Sequence, residues 1–187
     1  MKKVGLLGGT FDPPHLGHLI IAEEVHRSLE LDEVWLIPSH VPPHKSGPLA
    51  DGKARLEMTE RAVADNSHLA VSDIELEREG KSYTVHTIRQ LKENYPDAKF
   101  FFIIGGDMVQ YLPKWHAIDR LLEMIEFVGV KRTGYLLESP YPIHEVEVPA
   151  IEVSSSMLRE RLKNGMGTKY LLPDRVLEYI KEHGLYD

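Results

Sequence analysis

The run Phe100-Phe101-Phe102-Ile103-Ile104 places five apolar side chains in a row. Successive side chains of a strand point to opposite faces, so such a run needs cover on both sides, as in the interior of a parallel sheet packed between helices. Five further strand-like runs, at 3–7, 33–37, 69–76, 127–130 and 145–153, accompany it. They alternate with helical patterns at 16–29, 52–65, 85–94, 118–125, 155–164 and 174–182. In the first helix, Leu16, Leu19, Ile20, Val25 and Leu29 approximate an inward stripe. The alternation predicts an α/β architecture, a doubly wound parallel sheet, in a single domain over 1–187.

In sheets of this class ligands sit beyond the carboxyl ends of the strands. The segments expected there are unusually polar: 10–18, 38–45, Gly105-Gly106-Asp107 and Ser154-Ser155-Ser156. Segment 133–142 is rich in turn formers and predicts a mobile loop. The 187 residues carry 22 basic and 29 acidic side chains, a net charge of −7, so there is no general affinity for nucleic acid. A polyanionic ligand must be held by a local site. The absence of cysteine excludes disulfides and thiolate metal sites. No apolar run approaches the roughly 20 residues of a membrane span and no signal-peptide pattern appears, which points to the cytoplasm and to no membrane partner.

The first strand ends in Gly8-Gly9-Thr10-Phe11-Asp12-Pro13-Pro14-His15-Leu16-Gly17-His18. Glycines remove side chains where a ligand approaches, and the free N–H groups of a helix start favour an anion. His15 and His18, at i and i+3, share one face there. Gly17 between them costs about 1 kcal/mol of helix propensity, which argues for a local requirement other than helix formation. The segment is neither a Walker A loop nor a GxGxxG fingerprint. A metal reading is weaker, because His15 and His18 lack a carboxylate at helical spacing and Pro42-Pro43 keeps His40 and His44 off a common helical face. Near the other end, Val153-Ser154-Ser155-Ser156-Met157-Leu158-Arg159 puts hydroxyls at a helix cap with an arginine one turn on. Alone this is an ordinary serine cap. Beside the first helix start it would form a second phosphate cradle.

Residues 8–18 and 154–159 together resemble the paired signatures of the HxGH nucleotidyltransferase superfamily. The segments between resemble the bacterial nicotinate-nucleotide adenylyltransferase family: Pro38-Ser39 through Pro43-His44-Lys45, Ser82-Tyr83-Thr84, Gly106-Asp107-Met108, Trp115-His116, and Tyr179-Ile180 through Gly184-Leu185-Tyr186. Val153, Ser156 and Leu158 depart from the usual late signature, and Gly106 stands where alanine is common.

The resemblance implies a Rossmann-like nucleotidyltransferase fold and transfer of an adenylyl group from ATP to nicotinate mononucleotide in NAD biosynthesis. Such a phosphate monoester has a second pKa near about 6 and needs no general base. The protein's part is then alignment and charge neutralisation by cationic donors and substrate-bound Mg²⁺, with no metal ligand assigned to the chain. By resemblance, His15 and His18 donate to the phosphates, His18 to the reacting one, and Lys45 and Arg159 hold the departing pyrophosphate. Gly8, Gly9, Thr10, Phe11, Ser154 and Ser155 are expected around ATP. Trp115 is expected to stack on the pyridine, Thr84 and His116 to receive its carboxylate, and Asp107 to bond a ribose or orient the Trp115 loop. Phosphopantetheine or nicotinamide-nucleotide adenylyltransferases, and a non-catalytic nucleotide sensor, are the alternatives. An oligomer is possible on this reading.

Overall fold

The computed structural model describes residues 1–40, 49–78, 83–132, 134 and 136–187. Six strands, β1 (Lys2–Gly9), β2 (Glu33–Pro38), β3 (Leu69–Val71), β4 (Ala98–Gly105), β5 (Glu126–Arg132) and β6 (Ile143–Val148), form one sheet in the order β3-β2-β1-β4-β5-β6. Every neighbouring pair is parallel. Helices α1 (Leu16–Ser28), α2 (Gly52–Val63), α3 (Thr84–Asn94), α4 (Gly106–Val109), α5 (Ile118–Met124), α6 (Ser155–Lys163) and α7 (Asp174–His183) complete the fold, with a 3₁₀ turn at Leu112–Lys114. The chain runs outward from β1 to β3 and then returns to the far side of β1, so the strand order reverses between β1 and β4. A crevice opens at that switch point.

β4 pairs with β1 through Leu6↔Phe102 and Leu7↔Ile103 and with β5 through Phe102↔Phe127, which buries it between two strands as well as under two helical layers. On one face Val4, Leu6, Phe100, Phe102 and Phe127 meet Ile88 and Leu91 of α3 and Leu121 of α5. On the other, Leu7, Phe101, Ile103 and Val128 meet Ala22 and Val25 of α1. A third apolar cluster lies apart from both: Ala54 and Met58 of α2, Leu158 of α6, and Val176, Tyr179 and Ile180 of α7. The carboxyl-terminal helices thus pack on α2, beside the sheet. Among the described residues no helix is long and apolar enough to cross a membrane.

The expected elements form, with instructive differences. β3 stops at Val71 although the pattern suggested a strand to 76, because the chain turns at Asp73, whose carbonyl accepts from Leu76 and Glu77 N–H. Ile74 is buried through that turn and not through a ladder. β6 starts at Ile143 and ends at Val148, where Pro149 has no N–H to continue the pairing. The inward face of α1 is set by Ala22 and Val25, with Leu19 and Leu29 beside them. Ile20 instead lines the cleft described below, and the small Ala22 was invisible to a search for large apolar residues. The polar segment after β4 opens into the short helix α4. In the turn-rich segment 133–142, Leu137 and Tyr141 pack against the core, and a Cβ on Gly129 would stand 2.6 Å from Leu137 Cδ1.

Candidate active site

A cleft of about 1290 Å³ opens at the carboxyl ends of the central strands, with Gly9, Thr10, His15, His18, Asp107 and Arg159 among the residues that line it. The starts of α1 and α6 meet there. Ser155 Oγ donates to Pro13 O at 2.8 Å, and Gly17 lies so near Val153 that an added Cβ would come within 3.8 Å of its carbonyl oxygen. Serines 154 and 156 and Arg159 share the wall with both histidines. The starts of α1 and α6 are therefore side by side, the juxtaposition on which a second cradle would depend.

His15 caps α1 rather than sitting within its first turn. Its Nδ1 accepts from Gly17 N–H at 3.1 Å, while His18 Nδ1 accepts from His15 N–H at 3.1 Å. The rings stack at 3.8 Å with 24° between planes. Two helix-start N–H groups, otherwise without partners, are satisfied by the imidazoles themselves. A neutral ring that accepts at Nδ1 carries its proton on Nε2, so each imidazole is left with one N–H donor. Burial lowers the His15 pKa to about 4. His18 is lowered well below its ordinary value, first by burial and then by repulsion from His15. The pair is thus neutral at pH 7 in the absence of ligand, because unpaired charge is too costly where both rings are packed together.

The same geometry accounts for Gly17. A Cβ there would stand 2.9 Å from His15 Cε1 and 3.0 Å from Nδ1, inside the ring it serves. Gly9 is constrained similarly, since its Cβ would lie 3.0 Å from Phe11 Cζ. Phe11 adopts φ 51° with its side chain fully buried, and its ring meets His18 edge-on at 4.8 Å.

Behind the histidines lies a network that residue patterns did not disclose. Asp12 is buried, and its carboxylate accepts from Leu49 N–H at 2.8 Å, Ala50 N–H at 3.1 Å and the Tyr186 hydroxyl at 2.6 Å. Arg159 donates to the Asp12 carbonyl at 2.8 Å and to Ser156 Oγ at 3.2 Å. Arg55, buried within α2, donates to Thr10 O, Ala50 O and His40 O. The one available signal was that Arg55 shares a helical face with Met58 and Thr59, the buried face of a helix whose other charges are Lys53, Glu57, Glu60 and Arg61.

The other expected residues divide. Thr10, Ser154 and Ser155 line the cleft. Gly8 does not: it lies on the sheet face of Val4 and Leu6, 3.6 Å from Phe102 Cζ if given a Cβ. Trp115 is half-buried on that face, with edge contacts to Phe102 at 5.8 Å and Phe127 at 5.9 Å. His116 follows it and meets Tyr83, the residue before Thr84, at 4.7 Å. Thr84 thus follows a residue in contact with His116, whereas Asp107 lines the large cleft. Lys45 lies outside the described residues, as do Pro42, Pro43 and His44.

Residues 6–161 match the model of the cytidylyltransferase-like family. Over 186 residues the chain is 55% identical to a probable nicotinate-nucleotide adenylyltransferase of Oceanobacillus iheyensis, covering 100% of this chain and 97% of that one. A Bacillus licheniformis protein of the same name is 54% identical, with 100% of both chains covered. Among solved structures, the Plasmodium falciparum nicotinic acid mononucleotide adenylyltransferase complexed with NaAD superposes with a TM-score of 0.82 at 20% identity, over 100% of this chain and 98% of that one. The last comparison speaks for the fold, and the first three for descent. The chain belongs to the cytidylyltransferase-like family, in its nicotinate-nucleotide adenylyltransferase branch.

Proposed function

We propose that this chain acts as one nucleotidyltransferase domain that transfers the adenylyl group of ATP to nicotinate mononucleotide, giving nicotinate adenine dinucleotide and pyrophosphate. The observation that carries this reading is the convergence of two imidazole Nε2–H donors and one guanidinium on a single cleft, in a chain with full-length relatives of that name. An oxygen of the acceptor's phosphate attacks the α-phosphorus. The bond from that phosphorus to the oxygen bridging to the β-phosphate breaks, and pyrophosphate leaves with the electron pair. The acceptor phosphate is already largely a dianion, so no base is needed.

His18 donates from Nε2 to the α-phosphate, and His15 to a neighbouring phosphate oxygen. Neutral donors held by backbone hydrogen bonds need no reorganisation as charge shifts toward the leaving group. Arg159 keeps its main-chain and Ser156 bonds and turns its remaining N–H groups toward the β- and γ-phosphates, with Lys45 assigned to the same charge. Thr10 and the Gly9 backbone line the adenylyl position, Trp115 stacks on the pyridine, and Thr84 and His116 receive the carboxylate. Asp107, on the cleft, bonds a ribose hydroxyl.

Mg²⁺ fits this site as a charge carried on the triphosphate. Among the described residues no group of three ligating side chains gathers, and both oxygens of Asp12 are already engaged. When bound, the ion would help neutralise the pyrophosphate. A cytoplasmic location agrees with the enzyme's soluble substrates. Side-by-side assay of nicotinate and nicotinamide mononucleotides for pyrophosphate release tests the assignment. Faster turnover with the acid supports it, and ATP binding without release on any acceptor overturns it in favour of a sensor.

A further inference from the structure

The closing segment of the chain is not explained by nucleotide chemistry, yet it reaches the catalytic loop. α7 ends at Gly184, whose φ of 57° turns the chain back, and Leu185 N–H closes the turn on Ile180 O at 3.0 Å. Tyr186 follows, itself at φ 66°, and its hydroxyl lies 2.6 Å from Asp12 Oδ1. A non-glycine residue held in the left-handed region needs a compensating contact. Here that contact is a hydrogen bond to a buried carboxylate 174 residues away in sequence.

Resting on the adenylyl-transfer reading above, we propose that Tyr186 is a positioning residue for the triphosphate subsite, acting through Asp12 on the guanidinium of Arg159. Asp12 is the junction. Its side chain holds Leu49 and Ala50 at the entrance to α2, and its carbonyl receives Arg159 Nη1. Arg55 fixes the adjoining carbonyls of Thr10 and Ala50, so the peptide around Asp12 is tied from α2, from α6 and from the end of the chain. Without the hydroxyl, the Asp12 carboxylate keeps only the Leu49 and Ala50 N–H donors, both from the entrance to α2, and the peptide whose carbonyl Arg159 uses loses its tie to the end of the chain. Arg159 then loses the orientation that the main chain imposes. Burial and the neighbouring carboxylate raise the Tyr186 pKa, so the hydroxyl remains a donor across the working pH range.

The experiment uses the full chain with Tyr186→Phe, which removes only the hydroxyl, alone and combined with Arg159→Lys. Far-ultraviolet circular dichroism at 25 °C first establishes that each variant is folded. Calorimetric binding of a non-hydrolysable ATP analogue is then measured beside steady-state kinetics. Tyr186→Phe is expected to weaken analogue binding and lower kcat/KM for ATP, each about ten-fold, with the acceptor KM unchanged. In the Arg159→Lys background the same change should have no further effect. Unaltered analogue binding, a full ten-fold loss in the Arg159→Lys background, or an equal rise in acceptor KM would overturn the proposal. If the wild type binds the analogue but forms no dinucleotide, the functional reading fails while the binding arm still decides the role of Tyr186.

Discussion

The wall around His15 and His18 and the cluster around Trp115 are built differently. In the first, nearly every polar group has a named partner: imidazole to backbone, carboxylate to backbone and hydroxyl, guanidinium to carbonyl. In the second, Tyr83, His86 and His116 meet through ring contacts, Trp115 packs edge-on against Phe102 and Phe127, Tyr83 and His116 are exposed, and a 3₁₀ turn leads into Trp115. On the proposed function, phosphate chemistry demands donors that stay put as charge moves, which the over-determined first region supplies. Acceptor choice needs a surface that can be reshaped without disturbing that frame.

The sharpest test of this contrast is His18→Ala. Loss of a fixed donor should lower kcat by about 10²–10³-fold while ATP affinity changes little, as single-turnover kinetics and calorimetry would show. Equal losses in kcat and affinity would mean that the histidine only binds.

Next in size is the pH response of the phosphate wall. His15 has a folded pKa of about 4 against an ordinary 6.5, so below 6.5 the unfolded chain takes up a proton that the folded chain refuses. Its contribution is complete above pH 6.5 and is lost as pH falls toward 4, by about 3 kcal/mol from that difference. Urea unfolding at pH 7 and 4.5 should show this loss in the wild type. In His15→Asn, which keeps a side-chain acceptor for Gly17 N–H but does not titrate, the His15 share of the loss should disappear while that of the buried His18 remains.

Gly17→Ala probes the same frame sterically. The added methyl must displace the His15 ring, with a cost of about 1–3 kcal/mol in stability and a fall in kcat. A variant with wild-type melting temperature and turnover would show that the wall is looser than its hydrogen bonds suggest.

The smallest effect belongs to the other region. Trp115→Ala should raise the acceptor KM about ten-fold, the scale of one lost stacking contact, and leave ATP binding alone. A larger drop in kcat than His18→Ala produces would reverse the comparison.

The sheet and its helices were legible because burial on two faces writes itself into local pattern: Phe100 to Ile104 can hardly be anything but a central strand. The two signature segments were legible because glycine, histidine and serine are poor choices for packing and strong ones for phosphate. Strand ends were less so, since Asp73 and Pro149 end β3 and β6 through turn chemistry that alternating hydrophobicity does not register. The charge state of the histidine pair was not legible for a related reason. Protonation depends on how closely the rings stack and how deeply they lie, and neither quantity is local.

Sequence alone therefore settled the architecture, through strict periodicity, and the kind of reaction, through the resemblance carried by two short signature segments whose contact with phosphate is a proposal. Tertiary structure alone decided that α1 and α6 begin side by side, that His15 and His18 are neutral Nε2–H donors, and that Asp12, Arg55 and Tyr186 tie three distant stretches together. Those facts are made by desolvation and by hydrogen bonds across the whole length of the chain, where no local pattern carries the information.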